Sequence, residues 1–182
     1  PPAGRAYHVV QAARRGDPTA VALLRQAGDA VVRRAPGEAA RWYRAAVDLL
    51  PEAPAPEAAA LWTALGGALG AAGSLADART ALVRAIEMVP EDAMAAHVAV
   101  IADCARIEHA LGHYDAAHRR LIGALDRTGE THPAESVRLM NATAQDHLFR
   151  LDYPRAVEWS RRAGAAAELL GDRHMVAEAA AG

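Results

Sequence analysis

The sequence predicts an all-α chain built as a solenoid of antiparallel helix pairs, and three observations carry that expectation. Alanines recur in two columns 39 residues apart: Ala39, Ala78, Ala117 and Ala156, then Ala46, Ala85, Ala124 and Ala163. Small side chains at a fixed period mark places where stacked helices approach closely. The composition agrees, since 52% of the residues are hydrophobic but only 4% aromatic, with many alanines, which suits tightly packed helices better than a β-sheet. Finally, the stretch from Trp62 to Pro90 spells out one whole unit. Trp62, Leu65 and Leu69 recur at three- and four-residue steps and so share one helix face. Gly66 is small where a second helix must come close, Ala78, Leu82 and Ala85 seat that helix, and Pro90 ends it.

In chain order, the segment from Arg5 to Arg15 has room for a short helix with Tyr7, Val10 and Ala13 on its apolar side. Asp17-Pro18 reads as a cap and first-turn proline for a helix over about 19–34, which Pro36-Gly37 interrupts. The next helix spans Glu38 to Leu50 and ends at Pro51. Gly73 and Gly112 stand five residues before their column alanines, while Pro51, Pro90 and Gly129 close successive units. Ser74-x-x-Asp77 has the form of a capping box, and Thr131-His132 before Pro133 and Asp152 before Pro154 mark later helix starts. From Asp172 to Ala180 a fifth pair begins.

The order of large, small and helix-ending residues in 62–90 resembles the tetratricopeptide repeat (TPR), whose unit is two antiparallel helices. The resemblance implies a right-handed superhelix of about four units, near 16–51, 52–90, 91–129 and 130–168, forming one TPR-like domain over 1–182. The units differ. The second matches the pattern at every diagnostic position; the first keeps Leu23, Ala27, Ala39, Tyr43 and Ala46. The third has Glu108 where a large apolar residue belongs, and the fourth has His147, Leu151 and Ser160 where an apolar residue, a glycine and an apolar residue are expected. Pro1-Pro2 and Ala181-Gly182 give the chain the look of a piece of a longer protein.

Charge and residue usage exclude several function classes. The 20 basic and 22 acidic residues nearly cancel, so no strong field favours nucleic acid or an anionic membrane. Every basic residue is arginine, which removes a P-loop lysine, a Schiff-base lysine and a lysine base. A lone Cys104 cannot close an internal disulfide, and no charged start followed by an apolar core marks a signal peptide in this stretch, so a cytoplasmic setting is expected. Ala58 to Ala76 is uncharged and contains Gly66-x3-Gly70, but its alanine-glycine composition, its Gly73-Ser74 break and its place in the repeat argue against membrane insertion.

A second resemblance lies in the 39-residue period and in the opening: Tyr7-His8-Val9-Val10, Gly16-Asp17-Pro18, Ala22-Leu23-Leu24-Arg25 and the run from Ala35 to Tyr43. These are similar to the repeat domain of the large ATP-binding LuxR-family transcription regulators of the maltose-activator type. That resemblance implies a non-catalytic domain that senses an effector or docks a protein and passes the event to other domains of a parent regulator. Neither the G-x4-G-K-[ST] of an ATPase module nor a basic recognition helix occurs in this stretch. The alternative is a TPR scaffold for protein assembly with no tie to transcription.

Carrying over the groove positions of the TPR places Ala60, Thr63, Gly67 and Gly70 on the binding face of the second unit, Ala99, Ala102, Arg106 and His109 on that of the third, and Arg138, Asn141, Gln145 and Leu148 on that of the fourth. The implied partner is a protein, a peptide or a small effector, laid over the glycines, with a carboxylate or phosphate meeting the Arg106 and Arg138 guanidinium forks. Self-association into a homodimer is a further expectation, through apolar end faces. No cofactor is expected, and no metal: His109-x3-His113 has ligand spacing, but Gly112 ends the helix between them and nothing completes the set. Asp146-His147 with Ser136 or Ser160 lacks the strained turn of a nucleophile, so no catalytic residue is assigned. Trp42 and Trp159, at equivalent places in the first and fourth units, read as packing residues.

Overall fold

A computed structural model describes residues 13–51, 57–128 and 132–171. Among the described residues there are eight helices and no strand: α1 (Pro18–Val31), α2 (Pro36–Asp48), α3 (Ala58–Ala71), α4 (Leu75–Met88), α5 (Met94–Ala110), α6 (Tyr114–Thr128), α7 (Pro133–Phe149) and α8 (Tyr153–Leu170). The helix expected over 5–15 lies outside the described residues except for 13–15, which are not helical. The fifth pair, over 172–180, lies outside them entirely.

The helices fall into two compact units, Pro1–Val89 with α1 to α4 and Pro90–Gly182 with α5 to α8. In the first unit α1 packs on α2, α2 on α3 and α3 on α4; in the second α5 packs on α6, α6 on α7, α7 on α8, and α5 also meets α7. Connections of a few residues within each pair make antiparallel packing the accessible arrangement.

Burial accounts for the alanine columns. All eight alanines are buried, none more than 3% exposed, because each lies where a helix backbone meets its neighbour. In α3 the expected Leu65 and Leu69 are buried, but the third core position is Leu61, while Trp62 is only half-buried; each leucine contributes at most about 3 kcal/mol of transfer free energy. Gly66 is required by the approach of α4, since a Cβ there would sit 2.6 Å from Leu82 Cγ. The next column, Tyr43, Leu82 and Leu121, is likewise buried, while Ser160 is half-buried.

Two local expectations need correction. Pro36 opens α2 at its first turn instead of interrupting α1, because the missing amide hydrogen is harmless there; α1 has already ended at Val31. Ser74 does precede α4, but its side chain makes no capping bond. Its ψ is 62°, whereas Asp17 is extended at ψ 103° and accepts from the amides of Thr19 and Ala20 at 3.0 and 3.1 Å. Asp152, at a similar ψ of 71°, still accepts from the Arg155 amide at 3.3 Å, so the backbone angle of Ser74 does not by itself account for the missing bond.

The turns inside three pairs share one geometry. Gly73, Gly112 and Leu151, spaced by 39, all have positive φ, at 82°, 74° and 59°. The residue after each donates its amide back five positions, Ser74 to Leu69, His113 to Glu108 and Asp152 to His147, at 2.8–2.9 Å. This is the Schellman closure, in which the left-handed position favours glycine. Leu151 meets it with a side chain.

Candidate functional site

The residues carried over from the TPR groove lie on α3, α5 and α7. On α3, Gly67 is exposed, Gly70 and Thr63 are half-buried, and the Thr63 hydroxyl donates to the Ala59 carbonyl of its own helix at 2.8 Å. On α5 and α7, which adjoin within the second unit, Arg106, Arg138 and Gln145 are exposed and Asn141 is half-buried. Arg106 pairs with Asp103 one turn earlier at 2.7 Å, both in solvent. Arg138 has no ion-pair partner among the described residues.

His109 stands apart from that face. It is buried, 7% exposed, beneath the ring of Phe149 at a centroid distance of 4.5 Å. Its Nε2 meets Asp146 Oδ1 at 2.8 Å, and from α6 the Nδ1 of His118 meets Asp146 Oδ2 at 2.6 Å. The Asp146 carboxyl is fully buried. Burial alone would raise its pKa, but the hydrogen bonds of His109 and His118 outweigh that and hold it below the ordinary carboxylate value. An ionised carboxylate only accepts, so both imidazoles donate to it.

Next to Asp146 on α7, His147 is 3% exposed, and its Nδ1 is the one buried side-chain nitrogen or oxygen among the described residues without a hydrogen-bond partner. Burial lowers its pKa, favouring the neutral ring. Its ring meets that of His118 edge-on at 5.4 Å. Beside this cluster, the buried Glu108 accepts from Arg120 Nε and Nη2 at 3.2 and 2.9 Å, a two-point ion pair between α5 and α6.

Other expected constellations are not brought together. His113 is exposed past the end of α5, away from the buried His109. Ser136 donates to Thr128 Oγ1 at 3.0 Å, and Ser160 lies half-buried on α8. Trp42 and Trp159 are both half-buried; Trp42 donates to Glu38 at 3.4 Å and Trp159 carries Arg162 at 4.2 Å from its ring centre. Sequence reasoning did not anticipate the cluster around Asp146. The available signal was Glu108 and His147, polar residues at the same apolar position of neighbouring repeats. In the first unit a cleft of about 380 Å³ is floored by Trp62, Leu65 and Leu69 and rimmed by Arg44, Asp48 and Asp77. No helix of the described residues is long and apolar enough to cross a membrane.

Comparison with solved structures supports the architecture. A kinesin light chain protein of Podosopora anserina with nearly identical TPR-like repeats superposes with a TM-score of 0.79 over 92% of this chain and 85% of that one, at 16% identity. The fold is TPR-like. MamA gives a TM-score of 0.67 at 17% identity, covering 91% of this chain and 86% of the other. BtubC from P. vanneervenii gives 0.71 at 16% identity, covering 89% and 69%. No family model and no curated protein matches the sequence. At these identities the likeness carries the TPR-like fold and nothing finer.

Proposed function

We propose that this TPR-like chain is a non-catalytic protein-interaction module that binds an acidic peptide segment in its second unit. The observation that carries the reading is the polar face of α5 and α7. These adjoining helices bury one side in the core and turn Arg106, Arg138, Asn141 and Gln145 outward. Two guanidinium groups and two side-chain amides offer donors to carboxylates and to an extended peptide backbone. His109, engaged with Asp146, is not part of this face.

A narrower reading makes the module the effector-sensing or docking domain of an ATP-binding LuxR-type regulator in the cytoplasm. It rests on the residues at 7–10, 16–18, 22–25 and 35–43 and on the 39-residue period. The broader reading, an assembly scaffold, needs only the fold and the polar face.

The test is fluorescence anisotropy with a panel of acidic, neutral and basic peptides. Acidic peptides are expected to bind with saturation, and Arg138→Ala is expected to weaken them about tenfold, the loss of one charge-assisted contact worth about 1.4 kcal/mol. Arg106→Ala is expected to do less, because Asp103 already holds that guanidinium. Equal binding of all peptides, or an affinity unmoved by Arg138→Ala at unchanged helix content, rules the reading out.

A further inference from the structure

We propose that His118, Asp146 and His147 form a binding site for a divalent transition-metal ion, Zn²⁺ by preference, which ties α6 to α7 inside the second unit. Each residue offers one ligand atom, and the three atoms lie within 4.8 Å of one another. Zinc holds imidazole nitrogen and carboxylate oxygen at ~2.0–2.2 Å in a tetrahedral set, which places ligand atoms roughly 3.4 Å apart. The cluster therefore has to re-space, His118 Nδ1 drawing back from Asp146 Oδ2, now 2.6 Å away, while the wider separations of up to 4.8 Å close. His118 is the member nearest to solvent, its side chain being 30% exposed against 0% for Asp146 and 3% for His147.

The strongest observation is His147. Buried polar groups are almost always paired, yet its Nδ1 has no hydrogen-bond partner, and the nearest carboxylate oxygen, on Asp152, is 3.7 Å away, too far for a bond. An imidazole with an unused nitrogen, grouped with a carboxylate and a second imidazole, matches the donor set that zinc selects. Magnesium and calcium prefer all-oxygen cages.

The surroundings support Asp146 as a ligand. Its Oδ1 is held by His109 Nε2, and His109 is fixed by the stacked Phe149. A ligating carboxylate is commonly oriented by such an outer hydrogen bond, and Oδ2 is left to face His118. Metal binding at His118 Nδ1 would replace its hydrogen bond to Oδ2, the neutral ring keeping its proton on Nε2. The partly exposed side of His118 leaves a fourth position to water.

The experiment uses the whole chain, stripped with a chelator and titrated calorimetrically with Zn²⁺, with Co²⁺ as a spectroscopic probe. One equivalent of Zn²⁺ is expected to bind with saturation and raise the thermal midpoint, since only the native state assembles the site. Co²⁺ is expected to give visible absorption of a low-coordinate nitrogen and oxygen site. His118→Gln, a change at a half-exposed ring that preserves the fold, is expected to weaken Zn²⁺ at least tenfold, as is His147→Gln. His113→Gln and His97→Gln are expected to leave it unchanged. Absence of a one-to-one Zn²⁺ heat, or a Zn²⁺ affinity that survives His118→Gln, overturns the proposal. Loss of binding in His113→Gln or His97→Gln overturns it equally, by placing the ion at the surface.

Discussion

The two units of this chain build their cores from the same helix-pair pattern and different chemistry. In the first, Leu24, Leu61, Leu65 and Leu82 fill the centre, and among its described residues Tyr43 is the one buried side chain with a polar tip, its hydroxyl bonded to Asp29 at 2.7 Å. Every buried residue counted as polar or charged among the described residues lies in the second: Glu108, His109, Thr128, Ser136, Thr143, Asp146 and His147. The contrast is sharpest in one column. Leu69 occupies it in the first unit, Glu108 and His147 in the second, all three buried. Burying a charge is costly unless it is paired and hydrogen-bonded, so each polar occupant brings a partner set: Arg120 for Glu108, and His109 and His118 for Asp146. His147 lacks one. A repeat can thus be kept geometrically while its interior is turned over to polar pairing.

The largest way to break this comparison is at the ion pair. Arg120→Leu, which strips the buried Glu108 of its guanidinium, should cost about 3 kcal/mol in denaturant unfolding. The double change Glu108→Leu with Arg120→Leu, which gives the second unit the solution of the first, should return to within about 1 kcal/mol of the parent. A double variant as unstable as the single one would mean that the pair is not the source of the cost.

A second effect separates close helix contacts from open ones. Gly66→Ala places a Cβ against Leu82 and should lose about 1–2 kcal/mol after its gain in helix propensity. Gly67→Ala, one residue on with nothing within 4 Å, should gain up to about 1 kcal/mol. Thermal midpoints of opposite sign would show this; midpoints of the same sign would contradict the packing argument.

At the turns, Leu151→Gly should stabilise the second unit by about 1 kcal/mol, because a left-handed leucine is strained and this one is 71% exposed, with little burial to lose. Gly112→Ala, the reciprocal change, should destabilise by a similar amount. Unfolding midpoints read both.

The smallest effect is pH-linked and belongs to the second unit, where His97 lies beside Arg127 at 3.4 Å. Burial, then the Arg127 charge, lowers its pKa below 6.5. The folded state therefore resists protonation that the unfolded chain accepts. The contribution is complete above about pH 6.5 and fades as pH falls through the lowered folded value. A ring titration by NMR should find a midpoint under 6.5 that rises partway in Arg127→Gln; a midpoint at or above 6.5 contradicts the assignment.

Much of the fold was legible because its signals are periodic and local. Eight alanines, the Trp62–Pro90 unit, and Asp17 and Asp152 as caps depend on spacing along one helix or on a few neighbouring amides. Ser74 failed as a cap although it stands before its helix, because residue type and spacing do not set whether the side-chain oxygen reaches a first-turn amide. The polar core was half legible. Glu108 and His147 stood out as wrong occupants of an apolar column, but the residues that meet Asp146 come from α5, 37 positions earlier, and α6, 28 positions earlier, and no spacing rule within one helix links them. For the same reason His109 was placed on the outer face by analogy with Gly70, although its ring lies between Asp146 and Phe149.

The sequence by itself determined that the chain is made of alternating helices in repeated pairs, where those pairs turn, and which small residues let them close, because each is a matter of period and backbone conformation. Tertiary structure alone decided which polar side chains point inward and whom they meet. Those pairings depend on how α5, α6 and α7 are set against one another, and a difference of one helical face separates a solvated histidine from one held to a buried carboxylate.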